Sequence, residues 1–316
     1  MKHAERLYNA IEFKPVDRPP HFELMFELCE EAFGIPRPTG MEYQLKDSKE
    51  LEKVFRQCGE IYAKTVERYQ WDAVTLWWPR NGDGSTIYDF TQYLMDYLGE
   101  DITVIPPVWN SVVCIETIED YMQFSIDLLE EPHKVHDMAK RLLERGLRNA
   151  EGHLNAGCKI ICLPCDSAFN GGPFMSPDDF AEFTIPYLKE LIDYIHGRGA
   201  KAIFHSDGYL MPILEQIVEV KPDVIHSIDP MAGMDIAEVK KITYGKAALM
   251  GNVKCSSLQD GKDEEIKESI DYALEHASKG SGFIFSSSNC VFKGLPLQNY
   301  EKMLGYYWDF VNNRMK

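Results

Sequence analysis

The stretch AKAIFHSDGYL, residues 200–210, decides how the rest of the chain is read. Ala202, Ile203 and Phe204 form an apolar run long enough for a buried strand, and it stops abruptly at His205-Ser206-Asp207-Gly208. Residues 186–196, upstream, carry a helical pattern closed by Gly197 and Gly199; residues 210–218, downstream, carry another. Helix, strand, polar loop, helix is one unit of a parallel α/β sheet. Such folds place their chemistry just past the strand C-termini, where His205 and Asp207 stand.

Further copies of the unit lie on either side. Strand patterns begin near residues 21, 72, 158, 200, 224, 247 and 282, and an eighth is expected within 101–115. Helical patterns cover residues 4–12, 48–69, most of 120–156, 234–242, 263–277 and 297–310. Pro132 behind Glu130 and Glu131 suits a helix start, where the dipole favours negative charge. Eight such units predict a (β/α)8 barrel, one domain over residues 1–316 with an N-terminal helical extension. Residues 81–115, rich in Gly, Asp, Tyr and Pro, read as an irregular insertion or lid. A doubly wound sheet is the alternative, but the glycine fingerprint after its first strand is absent.

Composition narrows the partners. The chain of 316 residues has a net charge of −17, against which a phosphate-backbone partner or an anionic membrane surface is disfavoured. No apolar stretch approaches the roughly 18 residues that span a bilayer, and residues 1–15 contain no apolar signal core, so a cytoplasmic location is expected. Eight scattered cysteines do not form a disulfide framework and read mostly as small buried hydrophobes. Cys162-Leu-Pro-Cys165 is formally C-x-x-C, but it has no second pair and its two thiols would face opposite sides of a strand. His133 and His136 share the first turn of a helix, where a solvated face competes with a metal reading. P-loop, H-E-x-x-H, EF-hand and G-x-S-x-G patterns are all absent, the last excluding a hydrolase role for Ser206.

At the mouth of such a barrel the polar strand ends are Glu23, Trp77 and Trp78, Asp166, His205 and Asp207, His226 and Asp229, Asn252, and residues 286–290. His205, Asp207 and Cys290 together make a zinc shell with one open position, and zinc would present a bound thiol as a nucleophile. Asp207 or Glu23 is expected to complete that site. Asp166 joins His205 and Asp207 as a candidate catalytic group, and Glu23, Trp77, Trp78, Tyr209 and Asn252 are candidate substrate contacts. Each has a plainer reading: His205 bonded within its loop, Asp207-Gly208 a turn or helix cap, the tryptophans packing a lid.

Nearly the whole chain resembles the uroporphyrinogen decarboxylase superfamily. The matching stretches are GPFMSP at 172–177, FHSDGYLMPILEQIVEVKPDVIHSIDP at 204–230, AGMDI at 232–236, LMGNV at 249–253, and residues 285–296. The resemblance implies a TIM barrel with a cleft at the strand C-termini. True decarboxylases carry an arginine-rich segment after the first strand and an aspartate after the second; here HFELMFELCEEAFG at 21–34 has no arginine, and Leu76-Trp77-Trp78-Pro79 has no acid. The other branch resembled is the cobalamin-dependent methyltransferases, which bind zinc through a His-x-Cys pair and a later Cys. His205 and Cys290 match that pattern, and Asp207 stands at the first Cys. That branch implies zinc, methylcobalamin on a separate corrinoid protein, and a small-molecule methyl donor or acceptor. O-demethylation of methoxylated aromatics is a comparison, with Trp77, Trp78, Tyr88 and Phe169 as an aromatic pocket. A homodimer is possible on this reading, and a non-catalytic barrel that binds a small molecule is the alternative of a different class.

Overall fold

The computed structural model describes residues 1–36, 48–76 and 84–314. Two short parallel strands, β1 (Ala73–Thr75) and β2 (Thr103–Ile105), pair in register. Strands β3 (Ile160–Pro164), β6 (Lys201–Ser206), β7 (Val224–Ser227), β8 (Ala248–Val253) and β9 (Phe283–Ser287) form a five-stranded parallel sheet in that order. Between β3 and β6 sits an antiparallel hairpin of β4 (Ala168–Phe169) and β5 (Gly172–Pro173).

A few backbone hydrogen bonds join the two parallel sheets into one ring. The Val108 N–H donates to the Cys162 carbonyl (2.8 Å), and the Cys162 N–H donates to that of Pro106 (2.9 Å), fastening β2 to β3. On the other side Phe285 N–H donates to Pro20 (2.8 Å) and Asp72 N–H to His21 (3.0 Å). The stave between β9 and β1 is therefore residues 20–26. The sequence pattern predicts a strand there, but the structure gives only isolated bridges, His21 to Phe285 and Phe26 to Val291. Counting that stave, eight parallel staves close the expected (β/α)8 barrel. Their residues are buried on both faces, which is why they read as unbroken apolar runs.

The helices follow the sequence signals closely. Residues Asp263–Ala277 bury Ile266, Ile270, Ala273, Leu274 and Ala277, one stripe of a 3.6-residue period. Asp120 caps Tyr121–Glu130 by accepting from the N–H groups of Met122 and Gln123, and Pro132 opens Pro132–Asn155. The reading of residues 81–115 as an irregular insertion is corrected: Gly84–Leu98 is a helix and Thr103–Ile105 the eighth strand expected in that region. The loop over residues 167–177, read without structure, holds the β4–β5 hairpin. Every cysteine is a free thiol, and all but Cys290 are buried. Among the described residues no helix is long and apolar enough to cross a membrane.

Charge closes the bottom of the barrel. Asp72, just before β1, is completely buried. It accepts from Arg6 Nη1 (2.6 Å), Arg18 Nη1 (2.6 Å) and Nη2 (3.1 Å), and the His21 N–H (2.8 Å), and it lies 2.9 Å from His3 Nδ1. Burial alone would raise its pKa; His3 and Arg18 outweigh it and hold the carboxyl near 2. The Arg18 guanidinium also lies 5.0 Å over the Trp308 ring of the closing helix, Leu297–Arg314. Removing one partner of a buried ion pair costs about 3–5 kcal/mol. Asp72→Asn should therefore lower the unfolding free energy, read from urea melts, by an amount of that order. Asp17→Asn, which removes a carboxylate 43% exposed, should cost under about 1 kcal/mol. Equal effects in the two variants would remove Asp72 from its place as the hub.

Candidate functional site

Register brings the candidate groups together. β6 pairs with β7 so that His205 faces His226, and paired residues present their side chains on the same face of a sheet. The two imidazoles meet at 2.8 Å between Nδ1 atoms, and both are buried. β3 pairs with β6 up to Pro164 and His205, and the ladder continues through side chains: the Asp207 N–H donates to Asp166 Oδ1 at 2.9 Å. His205 Nε2 lies 3.9 Å from that same oxygen. Asp166, His205 and Asp207 thus offer one ligand atom each, all within 4.8 Å of one another.

The loop after β9 reaches this group from the far side. Asn289 Nδ2 donates to Asp207 Oδ2, while Asp207 Oδ1 is buried with no hydrogen-bond partner. Burial pushes the Asp207 carboxyl up to about 6; His205 opposes the rise, and Asp166 and Asp229 add to it. His226 is held far below the ordinary histidine range by burial and by His205, so it is neutral. Gly208 lets the loop descend this far. Its φ is +87°, and a Cβ there would lie 2.2 Å from the Ala168 carbonyl oxygen on the hairpin.

Glu23 answers to a different environment. The bridge between His21 and Phe285 sets it beside Ser287, whose N–H (3.0 Å) and hydroxyl (2.6 Å) both meet Glu23 Oε2. Burial pushes its carboxyl up to about 8, against the opposing pull of those bonds. It is 2% exposed and sits in the wall, so the structure does not present it as the open substrate contact expected from sequence.

The remaining candidates divide. Asn252 is buried and donates to the Ile228 carbonyl (3.0 Å). Tyr209 is half-buried, its N–H on the Phe169 carbonyl (2.9 Å), and Phe169 is 52% exposed at the hairpin tip. Tyr88 is not at the mouth; its ring packs against His153 at 4.9 Å and its hydroxyl reaches Asn149. Trp77 and Trp78 lie outside the described residues. His136 bonds Tyr187 (2.9 Å) and Glu182 (3.3 Å), so the helix pair with His133 has the plain reading.

The group that could hold a metal ion differs in one member from the expected zinc shell. Asp166, predicted as catalytic only, stands with His205 and Asp207 in the group, and Cys290 does not. Burial, then Cys255, Glu27 and Asp207, push the half-buried Cys290 thiol up to about 12, which keeps it protonated at neutral pH. Two groups that shape the site, His226 and Asn289, were legible only as polar strand ends.

A barrel whose polar groups converge at the strand C-termini defines the class of this protein as TIM-barrel with a mouth-facing site. Within that class, the family model for uroporphyrinogen decarboxylase (URO-D) matches residues 63–307, and the chain belongs to this family. Uroporphyrinogen decarboxylase of Photobacterium profundum is 23% identical over 201 residues, and that of Aliivibrio salmonicida 25% over 196. Both alignments cover 59% of this chain and 50% of the relative, so the chain spans about half the length of the curated relatives it matches. A methyltransferase from Methanosarcina mazei shares the fold at a TM-score of 0.72 and 17% identity, over 98% of this chain and 99% of that one.

The raised carboxyl of Glu23 gives a stability prediction. The group is protonated in the folded protein up to about pH 8, against an ordinary value of 4.5. Its contribution is complete below pH 4.5 and is lost as pH rises through 8. Glu23→Gln should therefore gain on the wild type as pH rises from about 4.5 to about 8 in thermal melts and level off above that. A difference that stays constant over that range would refute the shift.

Proposed function

We propose that this chain is a corrinoid-dependent methyltransferase of the family. It moves a methyl group between a methylated small molecule or thiol and a corrinoid carried by a separate protein. Asp166, His205 and Asp207 would hold Zn²⁺. The observation that carries the reading is the buried, unpartnered Asp207 Oδ1 beside a second carboxylate and an imidazole. Two anionic oxygens and a nitrogen are a fitting donor set for zinc, with a position left for substrate. Zinc so held lowers the pKa of a bound thiol or polarises an ether oxygen.

The chain's own groups set the rest. Asn289 holds one Asp207 oxygen and leaves the other directed at the group. The protonated Cys290 thiol contributes no negative charge at neutral pH. Phe169 and Tyr209 give the rim an apolar, aromatic side suited to a methoxylated ring. The fold likeness to the Methanosarcina methyltransferase, over almost the whole of both chains, agrees with this reading.

A second reading, uroporphyrinogen decarboxylation, is favoured by the names of the curated relatives. Residues 21–34 speak against it, since they contain no arginine or lysine to hold a polycarboxylate.

Metal analysis of protein purified without chelator tests the proposal. Stoichiometric zinc is expected in the wild type, with loss in His205→Ala and Asp207→Asn and retention in Cys290→Ala. A wild type free of zinc, or zinc unchanged in His205→Ala, overturns it. An anaerobic assay with uroporphyrinogen should yield no coproporphyrinogen; its formation would establish the second reading.

A further inference from the structure

The helix Tyr121–Glu130 is apolar on two opposite faces, and only one of them is covered. Phe124 and Leu128, four residues apart, turn inward onto the core. Phe124 meets the ring of Phe174, beyond the hairpin, at 6.3 Å between centroids. Met122, Ile126 and Leu129 recur at spacings of four and three, which return to one side of a helix. They face outward and are 77%, 42% and 87% exposed. A single exposed leucine is ordinary on a protein surface, whereas three large apolar side chains in one stripe mark an interaction surface.

Charge identifies the cover. Glu119 lies just before the helix and Glu130 ends it, so a carboxylate stands at each end of the stripe, roughly 15 Å apart by the helical rise. Neither is in an ion pair among the described residues, and Lys134, the next lysine along the chain, is taken by Glu131 (2.8 Å) and Asp127 (3.8 Å). Two copies pairing antiparallel through this stripe would bring Glu130 of each toward Glu119 of the other. A parallel pairing would set each carboxylate against its counterpart. Like charges so placed are unfavourable, and the whole chain carries −17. Anionic lipid meets the same obstacle. The complement of this face is an apolar ridge with a cation at either end.

We propose that the outward face of Tyr121–Glu130 is the docking surface for a partner protein that presents a basic amphipathic helix. Met122, Ile126 and Leu129 take the apolar side of that helix, and Glu119 and Glu130 take lysine or arginine at its two ends. The surface adjoins the barrel mouth. The Tyr121 hydroxyl donates to the Ile115 carbonyl (3.1 Å), and the Ile115 N–H donates to the Asp166 carbonyl (2.8 Å). A partner seated here stands two hydrogen bonds from the candidate site. The stripe is small against a standard interface of about 800 Å² a side, so the complex is transient. The surface rests on neither the zinc site nor the methyl-transfer reading.

A fluorescein-labelled synthetic helix, with leucine along one face and lysine at both ends, is the probe. Fluorescence anisotropy should find micromolar binding to the wild type that weakens as salt rises. Met122→Ser/Leu129→Ser should lose at least about tenfold in affinity. Glu119→Gln/Glu130→Gln should lose affinity together with most of the salt dependence. The same peptide with glutamate in place of lysine should not bind. All four positions are exposed, so both double variants should melt like the wild type. Four results overturn the proposal. The first is a lysine peptide that does not bind. The second is equal binding by the wild type and Met122→Ser/Leu129→Ser, which would mean that charge alone attracts the peptide elsewhere. The third is a wild-type dimer that dissociates in Leu129→Ser, which would make a second copy the occupant. The fourth is binding of phosphatidylcholine vesicles that Met122→Ser/Leu129→Ser loses, which would make the occupant a lipid surface.

Discussion

A fully buried carboxylate must be paired, because the cost of taking it out of water is several kcal/mol even after relaxation. At Asp72 that constraint organises the barrel. The side chain gathers Arg6 from the N-terminal helix, Arg18 from the segment that follows, and the His21 N–H from the irregular first stave. A continuous ladder is missing between residues 20–26 and β1, and this ionic knot stands in its place. With His21 fixed, Glu23 falls beside Ser287 and the ring closes against β9. The mouth inherits its geometry from a contact at the opposite end of the barrel.

At the mouth, two acids with similar intrinsic chemistry are driven apart in role. Glu23 accepts from the Ser287 amide and hydroxyl, and burial pushes its carboxyl up to about 8. Asp207, also desolvated, has His205 to counter the rise and titrates near 6. Opposed environments of this kind set two carboxyl groups of one fold to different protonation behaviour near neutral pH. The imidazole pair follows the same logic, with the interior ring neutral and the outer ring turned toward charge.

Much of this was legible in the chain. The run at 201–206 and its polar stop gave β6 and its functional end, because parallel strands are buried on both faces and leave unbroken apolar runs. The helix over Asp263–Ala277 was legible to the residue from its acidic start and its apolar spacing. The first stave was overread, since HFELMF has strand composition but is held by bridges and by Asp72 rather than a ladder. The helix Gly84–Leu98 was missed because its aromatic and polar residues, Tyr88, Tyr93 and Asp96 among them, blur an amphipathic stripe. At the site, the spacing of His205 and Asp207 placed two groups that lie close together in the structure. That Asp166 stands beside them depends on which loops are neighbours, and strand order is not written in local sequence.

Gly208 brings no side chain to the group it adjoins, yet it limits which residues this loop can accept. Any other residue brings a Cβ, and at φ +87° that atom would lie 2.2 Å from the Ala168 oxygen. Every other residue carries that Cβ, so no substitution here avoids the contact. The hairpin and the Asp207 loop can therefore be remodelled only together.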